Sequence, residues 1–382
     1  MRKIVVAIDS FKGCLSSVEA GEAAVSGIKS VCPQCEVVLV PIADGGEGIM
    51  TILVDAAHGS YRKTMAHNPL MRPIETTYGV SADGTTAYIE MAAISGLPLL
   101  EKSEYNPLIT TTYGTGELIW DALDAGIRHF VVGLGGSATN DGGIGMLQAL
   151  GFRFADADGT IDVGAGGDCL HRICSIDDSV IHPMLKQSSF TIACDVRNPY
   201  CGPEGAAYTF GRQKGANDYM ISSLDAGLRS FAKVIADKMG RNIADVPGAG
   251  AAGGLGGAFL AFLPAKLEPG IDLLLATLQF DKLITGAELI ITGEGRVDRQ
   301  SVMGKAPSGI LAAAQRQQIP VVLIAGSVED ADVLAASGFS GSFSVLPTPV
   351  SLEKAMQPCY AKENISRTVS QIVTLLNHFV KV

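Results

Sequence analysis

The strongest constraint on this chain is a recurring order. A short apolar run rich in β-branched residues leads into a turn bearing an acid and glycine, and a helical stretch follows. "KIVVAI" (residues 3–8) enters Asp9-Ser10-Phe11-Lys12-Gly13, and "EVVLVPI" (36–42) enters Ala43-Asp44-Gly45-Gly46-Glu47-Gly48. "HFVVGL" (129–134) enters "GGSATNDGGIG", "FTIACDV" (190–196) carries Asp195, and "AELIITGEGRVD" (287–298) carries Glu294 and Asp298. Apolar runs without polar alternation read as strands covered on both faces. Strands that alternate with helices pair in parallel, because each crossover brings the chain back to the same edge, so the expected class is α/β.

Composition agrees. The chain has 382 residues, 47% hydrophobic and 18% charged, which suits a globular protein with room for two domains. Aromatics are only 6%, so the core is built from small aliphatic side chains. The net charge of -10 and the lack of a basic run exclude a phosphate-backbone partner, and no nucleic acid is expected. The opening "MRKIVVAIDSF" reaches Asp9 before a hydrophobic region develops, which reads against a secretory signal and for a cytoplasmic protein. Eight irregularly spaced cysteines fit reduced thiols. Cys32-Pro33-Gln34-Cys35 has redox-pair spacing, weighed against a plain helix-to-strand loop. Residues 246–265 carry no charge over a membrane-spanning length, yet their glycines and prolines read as a loop entering a buried helix, so no membrane span is expected.

Ser16 and Glu19 have the spacing of a capping box at the start of a helix reaching about Ser30. Residues 61–94 read as short strands and turns. The two ends of the chain resemble each other in style. The expected organisation is therefore one α/β domain from residues 1–75 plus 285–382, with 76–284 inserted as a second.

In such sheets ligands bind beyond the carboxyl ends of the strands. Glycine lets backbone amides approach a phosphate, and carboxylates fit there if Mg²⁺ lies between them and the phosphate. The alternative for each acid is an ordinary turn or helix cap. Lys12, Lys214 and Lys305 each adjoin glycine and could offset phosphoryl charge; the alternative is a solvated surface lysine. Arg197 and Arg296 offer forked donors. A P-loop is absent, since Gly304-Lys305 is followed by Ala306 and Arg299 occupies the first glycine position. A G-x-G-x-x-G match at Gly248, Gly250 and Gly253 lacks a strand before it.

"AIDSFKGCLSSVEA", "PIADGGEG", "YGTGEL", "GLGGSATNDGGIGMLQALG", "CDVRNP", "FGRQKGA" and "ITGEGRVDRQSVMGKAP" together resemble the type 1 glycerate kinases, from Ile4 through at least Gly326. The resemblance implies two α/β domains with a cleft between them, a Rossmann-like parallel-sheet domain from both chain ends holding the inserted one. It implies transfer of the ATP γ-phosphate, with Mg²⁺, to the 2-hydroxyl of D-glycerate in glyoxylate or sugar-acid breakdown. It leaves a homodimer open. On this footing Gly135, Gly136, Ser137, Thr139 and Asn140 are candidates for the nucleotide. Asp9, Ser10, Lys12, Arg296 and Lys305 are candidates for the substrate, and Asp44, Glu47 and Asp195 for the metal. Asp195, Lys12 and Lys214 are candidates for catalysis, Asp195 as base. Two other classes compete: a nicotinamide oxidoreductase of a small hydroxy acid, and a non-catalytic sugar-acid binding protein.

Overall fold

The computed structural model describes residues 1–43, 48–162, 164–299 and 305–380. Its strands run in chain order as β1 (Lys3–Ile8), β2 (Glu36–Leu39), β3 (Ser60–His67), β4 (Pro73–Val80), β5 (Thr86–Glu90), β6 (His129–Gly133), β7 (Arg153–Ala155), β8 (Ser175–Asp177), β9 (Ser189–Ala193), β10 (Ala265–Glu268), β11 (Leu289–Val297), β12 (Val321–Val328) and β13 (Gly341–Ser344). The chain divides into two compact units, Met1–Asp44 with Ile271–Val382, and Gly45–Gly270. The class is α/β, as the strand–helix alternation required.

The first unit carries a sheet of order β13-β12-β11-β1-β2, parallel throughout. Val5 and Ile8 of β1 and Ile290 of β11 are fully buried, which is why these runs show no polar alternation. Helix Ser17–Val31 opens with the expected capping box: Ser16 Oγ accepts from Glu19 N–H and the Glu19 carboxylate accepts from Ser16 N–H. Its apolar face packs on the carboxyl-terminal helix Pro358–Val380, joining Ala24 and Ile28 to Ile365 and Val369. Cys32 caps the end of that first helix, Cys32 and Cys35 are both free thiols, and burial pushes the Cys35 thiol up to about 11.

The second unit carries a sheet of order β10-β9-β6-β5-β4-β3. Strands β10, β9, β6 and β5 are mutually parallel, while β4 and β3 add an antiparallel edge. β7 and β8 form a small separate antiparallel pair. The core gathers Ile89, Val132, Leu147, Phe190, Leu228 and Phe259. The uncharged stretch expected to be a loop and buried helix is that: helix Leu255–Phe262 is almost wholly enclosed. Among the described residues no helix is long and apolar enough to cross a membrane.

Three boundaries differ from those expected. The second unit spans Gly45–Gly270, so the residues before 76 from Gly45 on, including β3, which pairs along its length with β4, go with it rather than with the first unit, and residues 271–284 go with the first. β11 continues to Val297 because its ladder with β12 extends to Val297↔Val328; Glu294 and Arg296 are strand residues and not loop residues. β9 stops at Ala193, two residues before Asp195.

Candidate active site

Each unit places candidate residues at the carboxyl ends of its parallel strands. In the first unit, chain order reverses between β1 and β11, and crevices form at such switch points. Ile8 stands opposite Gly293 in the ladder, and Asp9 N–H donates to the Gly293 carbonyl at 2.8 Å. Residues following β1 thus lie beside Glu294. A cavity of about 520 Å³ opens here. Ser10, Lys12, Arg296 and Lys305, four of the five substrate candidates, line it together with Glu294 and Asp298. Asp9 is buried just behind, with its carboxylate accepting from Ser10 N–H at 2.6 Å. Lys12 and Arg296 are exposed, and Arg296 meets Glu329 at 2.9 Å. Lys305 is the residue before helix Ala306–Arg316, with Pro307 at the second helical position rather than the first.

The other side of this cavity is aliphatic. Val345 and Leu346 follow β13, and Leu352, Ala355 and Met356 come from the next short helix and its end. Sequence reasoning missed this wall, because its members belong to no motif and only folding assembles them.

In the second unit the loop after β6 and the loop after β9 start side by side, since Gly133 pairs with Ala193. Gly135 and Asp195 each lie two residues beyond that pair. Asp195 is exposed and accepts from Gly270 N–H at 2.8 Å. Ser137, Thr139 and Asn140 are buried, whereas Gly136 is exposed.

Two groups hold this glycine loop. The first is Lys214, only 1% exposed. Its ammonium donates to Ser137 Oγ at 2.8 Å and to the Thr139 carbonyl at 2.6 Å. Burial pulls Lys214 down to about 7, while the charge of Asp141 acts in the opposite sense. The second is Asp141, wholly enclosed. One oxygen accepts from Thr112 N–H (2.7 Å), Thr112 Oγ–H (2.8 Å), Gly145 N–H (3.2 Å) and Thr111 Oγ–H (3.3 Å). The other accepts from Gly143 N–H at 3.0 Å. Burial raises this carboxyl above its ordinary value, and the donors limit the rise. Gly145 has to be glycine: a Cβ there would collide with Thr111 Oγ and lie 2.9 Å from the Asp141 carboxylate. The sequence leaves each strand-end acid open to metal binding or to a turn or helix cap, and the contacts of Asp141 fit the local cap.

Thr110, Thr111 and Thr112 were missed by sequence reasoning. Thr110 Oγ–H donates to the Ala138 carbonyl at 2.8 Å, so all three hydroxyls fasten the loop. Three consecutive threonines before "YGTGEL" were the available signal. Among the described residues, Thr139 Oγ and both amide atoms of Asn140 are buried without a hydrogen-bond partner. Native proteins keep few such atoms, so this loop has polar capacity left over.

Asp44 and Glu47 lie outside the described residues. Among the described residues no three His, Cys, Asp or Glu side chains stand together as a metal cage. Mg²⁺ that arrives with a nucleotide needs only one or two carboxylates beside phosphate oxygens, and exposed Asp195 has the right donor chemistry.

The glycerate kinase family model matches residues 4–377. The chain belongs to the glycerate kinase family. This kinase is 46% identical to a glycerate kinase of Bacillus subtilis, over 97% of this chain and 96% of that one. It is 44% identical to a glycerate 2-kinase of Escherichia coli, over 98% of both. A solved Salmonella typhimurium LT2 structure assigned as a glycerate kinase 2 superposes with a TM-score of 0.86 at 42% identity, covering both chains completely. The oxidoreductase and non-catalytic readings give way to an enzyme of the kinase class.

Proposed function

We propose that this kinase transfers the γ-phosphoryl group of ATP to the 2-hydroxyl of D-glycerate, giving 2-phosphoglycerate and ADP, in the breakdown of glyoxylate or sugar acids. The observation that carries this reading is the gathering of Lys12, Arg296 and Lys305 around one cavity at the β1/β11 switch point. A triose acid and a triphosphate are both anions, and phosphoryl transfer depends on positioning and charge neutralisation.

In this reading Lys12, Arg296 and Lys305 grip carboxylate and phosphate oxygens, with Asp9 and Ser10 shaping the β1 end. The loop of Gly135, Gly136, Ser137, Thr139 and Asn140 binds nucleotide phosphate, with backbone N–H groups as donors and the Thr139 hydroxyl and Asn140 amide still unspent. Lys214 acts through Ser137 and Thr139, as a positioning residue. Asp195 takes the proton from the 2-hydroxyl as that oxygen bonds to phosphorus and the bond to the ADP oxygen breaks. Asp195, with Asp44 and Glu47 as the further candidates, would hold Mg²⁺, which would neutralise charge on the phosphates.

Phosphorus NMR of the purified chain with ATP, Mg²⁺ and D-glycerate tests it. The expected result is a new 2-phosphoglycerate resonance that is lost without Mg²⁺. A 3-phosphoglycerate resonance refutes the regiochemistry, and no glycerate-dependent loss of ATP refutes the acceptor.

A further inference from the structure

The cavity at the β1/β11 switch point is larger and less polar than glycerate requires. At a liquid-like share of roughly 30 Å³ per heavy atom, the seven heavy atoms of glycerate need about 210 Å³. The cavity holds about 520 Å³. Glycerate is a carboxylate and two hydroxyls on three carbons, with no apolar face to offer. Yet one wall of the lining is apolar: Val345, Leu346, Leu352, Ala355 and Met356, with Phe11 at the β1 end. Leu352 is 76% exposed and Leu346 and Met356 are partly exposed, so this wall presents open apolar surface.

The two ends of the cavity differ in chemistry and are joined by the chain. Lys12 is followed by Gly13, which holds φ +75°; a Cβ there would stand 3.1 Å from Met356 Cε. Glycine at 13 therefore brings the cationic turn against the aliphatic wall. The lining, which also holds Glu294 and Asp298, suits a ligand with an apolar part against the wall and anionic oxygens near Lys12, Arg296 and Lys305.

We propose that this cavity is the nucleotide subsite of the kinase, with the purine base against Leu346, Leu352 and Met356 and the phosphate chain directed to Lys12, Arg296 and Lys305. The assignment rests on the kinase reading above and goes beyond it by placing the base, which that reading leaves unassigned. A base held on aliphatic and thioether surface gains from burial and sulfur–ring contact and needs no glycine fingerprint, in keeping with the missing P-loop and the out-of-context G-x-G-x-x-G.

The test is titration calorimetry on the full chain with two probes: ADP, and inorganic tripolyphosphate, which has the phosphates without the base. Leu352→Asn and Leu346→Asn are read singly and together, with thermal melts as the folding control; Leu352 is exposed enough for the polar side chain to leave the fold intact. Each single variant weakens ADP by about three- to tenfold, and the pair by more than tenfold, from lost apolar contact. Tripolyphosphate binding stays within twofold of the parent. ADP affinity unmoved in the double variant overturns the proposal, as does equal weakening of both probes. Because ADP binding is read without turnover, failure of the acceptor assignment leaves this result standing: ADP can bind in a Leu352-sensitive way in a chain that does not consume glycerate.

Discussion

Asp141→Asn probes the physical logic of the glycine loop most directly. The parent carboxylate meets five donors, three of them backbone N–H groups that cannot reverse their role. An asparagine side chain has one oxygen. Turning that oxygen toward Thr111, Thr112 and Gly145 keeps four contacts and aims the new NH₂ at Gly143 N–H. Two donors then face each other without water, which costs about 1–3 kcal/mol for the orphaned group. The four surviving bonds also fall from charge-assisted to neutral, losing up to half their strength. Relief of a buried charge offsets part of this, leaving a net loss of about 2–4 kcal/mol. Urea unfolding followed by circular dichroism reads the difference as midpoint times slope. A loss below about 0.5 kcal/mol would refute the idea that this carboxylate holds the loop as an ionised acceptor.

The remaining predictions address other parts of the structure. Lys214 keeps its proton to about 10.4 when unfolded and releases it near 7 when folded, so the unfolded chain binds more protons in that window and stability rises with pH across it, by at most about 1.4 kcal/mol per unit. Lys214→Met should remove that rise, and urea midpoints at pH 7, 8 and 9 with parallel slopes for parent and variant would contradict it. A neutral lysine still has two N–H groups for Ser137 and Thr139, so the loop should survive the titration. Ser16→Ala removes one half of the capping box and should cost about 1 kcal/mol in the same assay; no change would show that the Glu19–Lys362 pair at 2.8 Å suffices to hold the helix start. Asp195→Asn should lower kcat at least a hundredfold, on the order expected for a lost proton acceptor, with an unchanged melt; near-parental turnover would remove Asp195 as base.

The sequence by itself determined the elements and where chemistry gathers. Unbroken apolar runs such as "KIVVAI" can only be satisfied between covering helices, and Ser16 with Glu19 satisfies helix amides using neighbours three residues away. Such signals are local, so they survive in one dimension. The tertiary structure decided which strand-end residues meet. Lys214 reaches Ser137 across 77 positions, and Asp141 finds Thr112 across 29. No periodicity encodes those contacts, because they arise from how crossovers stack one loop on another. The same holds for Arg296, whose place on a strand was settled by the reach of β12, and for the aliphatic wall facing Lys12. The sequence showed a cation beside a glycine; only the packed chain could show which were buried clamps and which faced an open cavity, since burial is a property of the assembled neighbours and not of the residue.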